Sequence, residues 1–111
     1  MLNHTTLGIL IGWLEKQDPS LIVKDGFGSP HSDRGSYDEL AFTPLNEARI
    51  GEMLKHARSA IGKEFSGWKG GEYLMDEDTP VYIGQFGTPG DSITPIHFKY
   101  WLLTGRNEDG N

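Results

Sequence analysis

Two stretches of this chain carry apolar residues at helical spacing, and glycine and proline break most of the rest into runs too short for another long helix. Leu7, Leu10, Ile11 and Leu14 fall at i, i+3, i+4 and i+7, and Ile50, Met53, Leu54, Ala57 and Ile61 repeat the pattern. The spacing predicts a first helix capped by Thr5 or Thr6, running to about Gln17 and ended by Asp18-Pro19. A second helix opens at Asn46 or just after it and stops at Gly62, with Glu52, Lys55, His56, Arg58 and Ser59 on a solvated face. Leu21-Ile22-Val23 reads as a strand, residues 26–35 as a loop, and residues 37–42 as a strand stopped by Pro44. Residues 73–75 and 81–86 read as a hairpin around a turn at 76–80, while residues 96–103 are apolar on both faces and fit a buried strand or a short helix. The sum is an α+β fold, two helices packed on a largely antiparallel sheet of about five short strands. It forms one domain over residues 1–105, with a flexible tail over 106–111.

With 111 residues and no cysteine, the chain has to stabilise itself through a hydrophobic core, without disulfides or a cysteine-held metal. That composition is compatible with a reducing cytosol. The apolar run over residues 7–14 has no Lys or Arg before it and falls well short of the ~20 residues that span a bilayer, so it reads as helix and not as a leader. A net charge of −6 argues against a nucleic-acid polymer as partner, because such binders gain most of their affinity by neutralising phosphates. A small phosphorylated ligand remains open, since charges beyond a Debye length of about 8 Å are screened and local cations decide.

Two segments supply such local chemistry. Phe65-Ser-Gly-Trp-Lys-Gly-Gly-Glu-Tyr73 combines Phe65, Trp68 and Tyr73 as stacking faces, Lys69 as a point charge, Gly67, Gly70 and Gly71 as places of close backbone approach, and Glu72. Ser32-Asp-Arg-Gly-Ser-Tyr37 offers the planar fork of Arg34 to a phosphate, hydroxyls from Ser32 and Ser36, and the ring of Tyr37. The plain alternative is structural: a tight turn whose aromatics cover the core, and an arginine that pairs with Asp33 or Asp38. The histidines at positions 4, 31, 56 and 97 lack the spacing of a helical metal site, and Asp76-Glu77-Asp78 reads as a turn held by Asx-type bonds. No nucleotide-binding glycine fingerprint, nucleophile elbow or cysteine nucleophile is present, so the residues describe a binder without a catalytic set, metal or cofactor. Twelve aromatics exceed what one small core usually hides and point to an oligomer that buries some of them.

The two motifs, arranged around one amphipathic helix, resemble a group of small phage and prophage proteins that includes the Thoeris anti-defence sponges. The resemblance spans residues 20–90 and implies sequestration, without turnover, of cyclic ADP-ribose isomers and in some cases of the cyclic oligonucleotides of CBASS immunity. It also implies a dimer or hexamer acting in the cytoplasm of the infected bacterium, with no membrane and no nucleic-acid polymer as partner. By position it assigns Arg34, Ser36, Tyr37, Phe65, Lys69, Gly70, Gly71, Glu72 and Tyr73 to the ligand pocket or its border. Trp68 adds a stacking face within the same segment, and Arg106, outside that span, fits either a pocket formed with another subunit or the mobile tail. Two other readings fit the residues: a small phosphodiesterase or nucleotide hydrolase using Arg34, His31 and an acid, and a phage inhibitor that docks its acidic, aromatic surface on a basic host protein.

Overall fold

The computed structural model describes residues 5–33, 36–62, 64–66, 72–74, 76–84 and 91–107, with the backbone alone described at 31–33, 36–39, 64–66, 72–74 and 91. The element order is α1 (Leu7–Glu15), β1 (Ile22–Asp33), β2 (Ser36–Arg49), α2 (Ile50–Ala60), β3 (Glu64–Ser66), β4 (Glu72–Leu74), β5 (Val81–Ile83), β6 (Asp91–Ser92) and α3 (Pro95–Thr104). The α+β class stands, with three helices in place of two and a mixed sheet in the order β1-β2-β5-β6 beside a separate β3-β4 ribbon. Within the sheet β1–β2 and β5–β6 are antiparallel, whereas β2 and β5 run parallel.

The largest departure from the expected pattern is the β1–β2 hairpin, 12 and 14 residues long where the sequence suggested short strands and a loop. Glycine and proline are tolerated because of where they fall. β5 meets β2 at Leu40, Ala41 and Phe42, and among the described residues that side of β2 is an edge from Thr43 onward, so Pro44 interrupts no described ladder there. Asn46 and its neighbours stay extended because Glu47, Ala48 and Arg49 pair with Lys24, Val23 and Ile22, which delays α2 to Ile50. Asp25 turns to a left-handed φ of 54° within β1, and a register shift between Phe27 and Pro30 bends the strand further.

The expected hairpin between residues 73–75 and 81–86 does not form. β4 pairs with β3, β5 pairs with β2, and the acidic turn between them serves α1. The Leu7 and Gly8 amides, which no helical carbonyl can reach, donate to the Thr79 and Glu77 carbonyls at 2.8 and 2.9 Å. The turn itself closes through the Asp78 amide donating to Asp76 Oδ1 and the Asp76 amide donating to Thr79 Oγ1, both at 2.9 Å. Three carboxylates thus sit at the positive end of the α1 dipole. At the other end of α1, the Ser20 amide and hydroxyl donate to Asp18 Oδ1 and hold its carboxyl below the usual aspartate value.

Residues 95–104 form a helix because Thr94-Pro95 starts one. Thr94 and His97 cap each other reciprocally, with the Thr94 amide donating to His97 Nδ1 at 3.0 Å, and Pro95 occupies the first turn where no amide is needed. α3 then closes the free edge of β1. The Lys24 amide donates to Thr104 Oγ1 at 3.1 Å, and Ile22 and Arg106 exchange backbone bonds at 2.8 and 3.0 Å. Arg106, expected at the start of a flexible tail, is bound through its backbone, and residues 108–111 of that tail lie outside the described residues.

One apolar core joins Leu7, Leu10 and Leu14 of α1, Val23 and Phe27 of β1, Leu40 and Phe42 of β2, Ile50, Met53, Ala57 and Ala60 of α2, Val81 of β5, Ile93, and Trp101 of α3. Its spine is a connected set of rings: Phe42 lies 4.3 Å from Phe27, Phe27 lies 5.9 Å from Trp101, and Trp13 stacks on Phe98 at 4.6 Å beside Trp101. Five of the twelve aromatics are thereby packed inside one protomer.

Two glycines give opposite expectations. A Cβ at Gly26 would stand 2.6 Å from Ala48 Cβ and 3.1 Å from Met53 Sδ, whereas at Gly12 it would meet nothing within 4 Å. Gly26→Ala should cost about 1–3 kcal/mol by overpacking, and Gly12→Ala, in mid-helix, should gain up to about 1 kcal/mol. Urea unfolding followed by circular dichroism reads both, and shifts of the same sign would contradict the packing described. Tyr100 supplies a pH test. Its phenol is held above the ordinary value of 10.0 by the bond it donates to Asp25 Oδ2, with desolvation and the nearby charge adding to it. The fold binds that proton more tightly than the unfolded chain does, so the contribution is complete below about pH 10 and fades as pH rises through the raised value. Tyr100→Phe should remove this alkaline loss from the stability profile.

Candidate functional site

Each of the two glycine-rich motifs falls at the end of a hairpin. Asp33 pairs with Ser36, so Arg34 and Gly35 alone join β1 to β2, and Ser36 and Tyr37 open β2. The segment read as a loop over residues 26–35 is thus mostly strand with a two-residue connection. In the second motif Phe65 pairs with Tyr73 and Ser66 with Glu72, which leaves residues 67–71 to join β3 to β4. Arg34, Trp68, Lys69, Gly70 and Gly71 lie outside the described residues, and for Ser36, Tyr37, Phe65, Glu72 and Tyr73 the register is what is described.

The two hairpins meet: β3 approaches β1, and β4 approaches β2. The motifs are therefore carried by neighbouring ribbons, although 30 residues lie between Arg34 and Phe65 in the chain. Arg106 stands elsewhere. Its backbone pairs with Ile22 at the open base of the β1–β2 hairpin, and its guanidinium pairs with Glu47 at 2.9 Å. At about 3.3 Å per residue, the length of β1 puts that base roughly 30 Å from the Ser36 end. Within one chain Arg106 and Ser36 do not share a site.

A concavity lies elsewhere, in a place the motifs do not mark. An open groove of about 760 Å³ is lined by Thr6, Gly8, Ile9, Ile11, Gly12 and Glu15 along α1, by Arg58 and Ile61 at the end of α2, and by Glu77 and Asp78 of the acidic turn. The available signal was Gly8 and Gly12 four residues apart on one helix face, flanked by isoleucines. Its electrostatics oppose an anionic ligand. Arg58 is already bound to Glu15 at 2.6 Å, and Glu77 and Asp78 stand exposed on the rim. A phosphate placed there would meet uncompensated carboxylates, so the groove is a poor nucleotide site. Among the described residues no group of three His, Cys, Asp or Glu side chains gathers to hold a metal ion, and no helix is long and apolar enough to cross a membrane.

Comparison with protein-family models, with curated proteins and with solved structures returned no match for this chain.

The β3–β4 register has a measurable consequence. Directly opposed residues of an antiparallel pair couple by about 0.2–1 kcal/mol. A double-mutant cycle of Phe65→Ala and Tyr73→Ala should return a coupling in that range by denaturant unfolding. Phe65→Ala combined with Leu74→Ala, which stand one position out of register with each other, should return a smaller one, and strictly additive losses in the first cycle would contradict the pairing.

Proposed function

We propose that this protein sequesters small cyclic nucleotide signals, such as cyclic ADP-ribose isomers and cyclic oligonucleotides, and holds them without chemical change. The observation that carries the reading is the adjacency of the two hairpins, whose connections consist of Arg34-Gly35 and of Gly-Trp-Lys-Gly-Gly over residues 67–71. Neighbouring ribbons of this kind offer a fork-shaped cation, a point charge, stacking rings and glycine amides to one flat, phosphorylated ligand. Ser36, Tyr37, Phe65, Glu72 and Tyr73 border those connections by their register. Arg106 joins such a pocket only across a subunit boundary. The resemblance to phage anti-defence sponges names the same ligand class, and in that reading the protein works in the cytoplasm of an infected bacterium against signals of its immune enzymes.

The overall charge of −6 does not count against this, because the nearest charges dominate at physiological salt. A charge-assisted bond contributes about 1.5–3 kcal/mol and base–aromatic stacking about 1–3 kcal/mol per base, so micromolar affinity, about 8.2 kcal/mol net of the association cost, requires both cations, more than one stacked ring and the glycine amides to act together. Isothermal titration with cyclic ADP-ribose isomers and with cyclic trinucleotides should give saturable binding. Arg34→Ala and Lys69→Ala should each weaken it tenfold or more, and heating the complex should release the ligand intact. Heat-released product would instead support the hydrolase reading, and no binding across the series would end the proposal.

A further inference from the structure

α3 carries apolar residues on both its inner and its outer face. Trp101 is fully buried and His97, Phe98 and Thr104 are half-buried, so the inner face is complete. The opposite face carries Ile96 at 78% exposure, Leu103 at 77%, Leu102 at 53% and Tyr100 at 40%, with Pro95 and Lys99 exposed among them. Ile96, Lys99, Tyr100 and Leu103 follow the i, i+3, i+4, i+7 spacing of a single stripe. A surface helix ordinarily turns polar residues outward, and one that is apolar all round is ordinarily covered. Among the described residues nothing covers this one: four of the seven large exposed apolar side chains of the described chain lie on these ten residues.

We propose that the outer face of α3 is a self-association surface, on which the α3 of a second copy packs antiparallel across a two-fold axis. Three observations select a second copy over other occupants. In area, the four apolar side chains leave on the order of 400 Å² in water. That is the size of patch that marks an interaction site on a monomer, and about half of the ~800 Å² each partner buries in a standard interface. In charge, two copies of a chain at −6 repel, yet α3 contains no Asp or Glu, so this face brings the copies together where acidic charge is least. In pattern, the stripe is self-complementary. An antiparallel pair centred between residues 99 and 100 sets Ile96 against the second copy's Leu103. The same register sets Lys99 against the second copy's Tyr100, whose hydroxyl donates to Asp25 at 3.1 Å. Each ammonium then faces a ring and a carboxylate of the other copy, twice by symmetry. This inference does not depend on the nucleotide-binding reading, since none of these residues belongs to either glycine-rich motif.

Light scattering coupled to size exclusion tests it on the full chain over a range of concentrations. The wild type should show at least twice the 12.4 kDa monomer mass, and the exposed-face variant Ile96→Glu/Leu103→Glu should return to 12.4 kDa with its thermal melt retained. Lys99→Glu, which sets two carboxylates face to face, should weaken association about tenfold, and adding Asp25→Asn should restore part of that loss. Asn tolerates the left-handed backbone at position 25, so this second pair reports on the contact and not on folding. A wild type that stays monomeric, or a mass unchanged by both Ile96→Glu/Leu103→Glu and Lys99→Glu, would overturn the proposal.

Discussion

The indole of Trp101 is the point on which the architecture turns. Its ring is fully buried between Phe27 of β1 and Trp13 of α1, and its N–H donates to the Asp25 carbonyl at 3.1 Å. That carbonyl belongs to the residue whose left-handed φ kinks β1, a conformation that costs energy in any residue but glycine and therefore needs local compensation. Tyr100 adds a bond to the carboxylate of the same aspartate. A single helical turn of α3 thus supports the kink, fills the ring stack and, together with Thr104 and Arg106, covers the open edge of β1. Without it the longest hairpin of the molecule would present an unpaired edge at its base and lose the far wall of its aromatic core.

That dependence explains which parts of the fold are legible in the sequence. α1 and α2 can be read because their apolar spacing serves one face, and the core uses Leu7, Leu10, Leu14, Ile50, Met53 and Ala57 as the spacing suggests. Gly62, with φ of 74°, ends the second helix region where a glycine stop was expected. The hairpin strands are obscured because their regularity is supplied from outside: Asp25-Gly26 resembles a turn until α3 holds it in a strand, and Pro44 resembles a stop until β5 proves too short to need its amide. α3 is ambiguous because periodicity vanishes in a helix that is apolar on both sides. The deciding signal, Thr94-Pro95 with His97 in the third position, is present but uses histidine where glutamate is usual.

The candidate site divides in the same way. Composition and spacing mark which residues carry chemistry, and the register adds that both motifs sit at hairpin ends on ribbons that touch. The pairing of Phe65 with Tyr73 could not be read from the chain, since Tyr73 has an equally good nominal partner in the strand after the acidic turn. What removes that partner is the demand of α1 for carbonyls at its N-terminus. Once Glu77 and Thr79 turn theirs toward Gly8 and Leu7, the chain leaves the turn toward β2 instead of folding back on β4.

Charge is partitioned along these lines as well. The acidic turn gathers three carboxylates at the positive end of α1, where the helix dipole stabilises them. Among the described residues, the one guanidinium lining that groove is already committed to Glu15. The cations of the two glycine-rich motifs belong to other segments of the sequence. α3 is the third region, with a lysine and no acid, and it carries four of the seven large exposed apolar side chains of the described residues. Among these regions, the third is the one through which two chains of this net charge would meet with less repulsion than through the first.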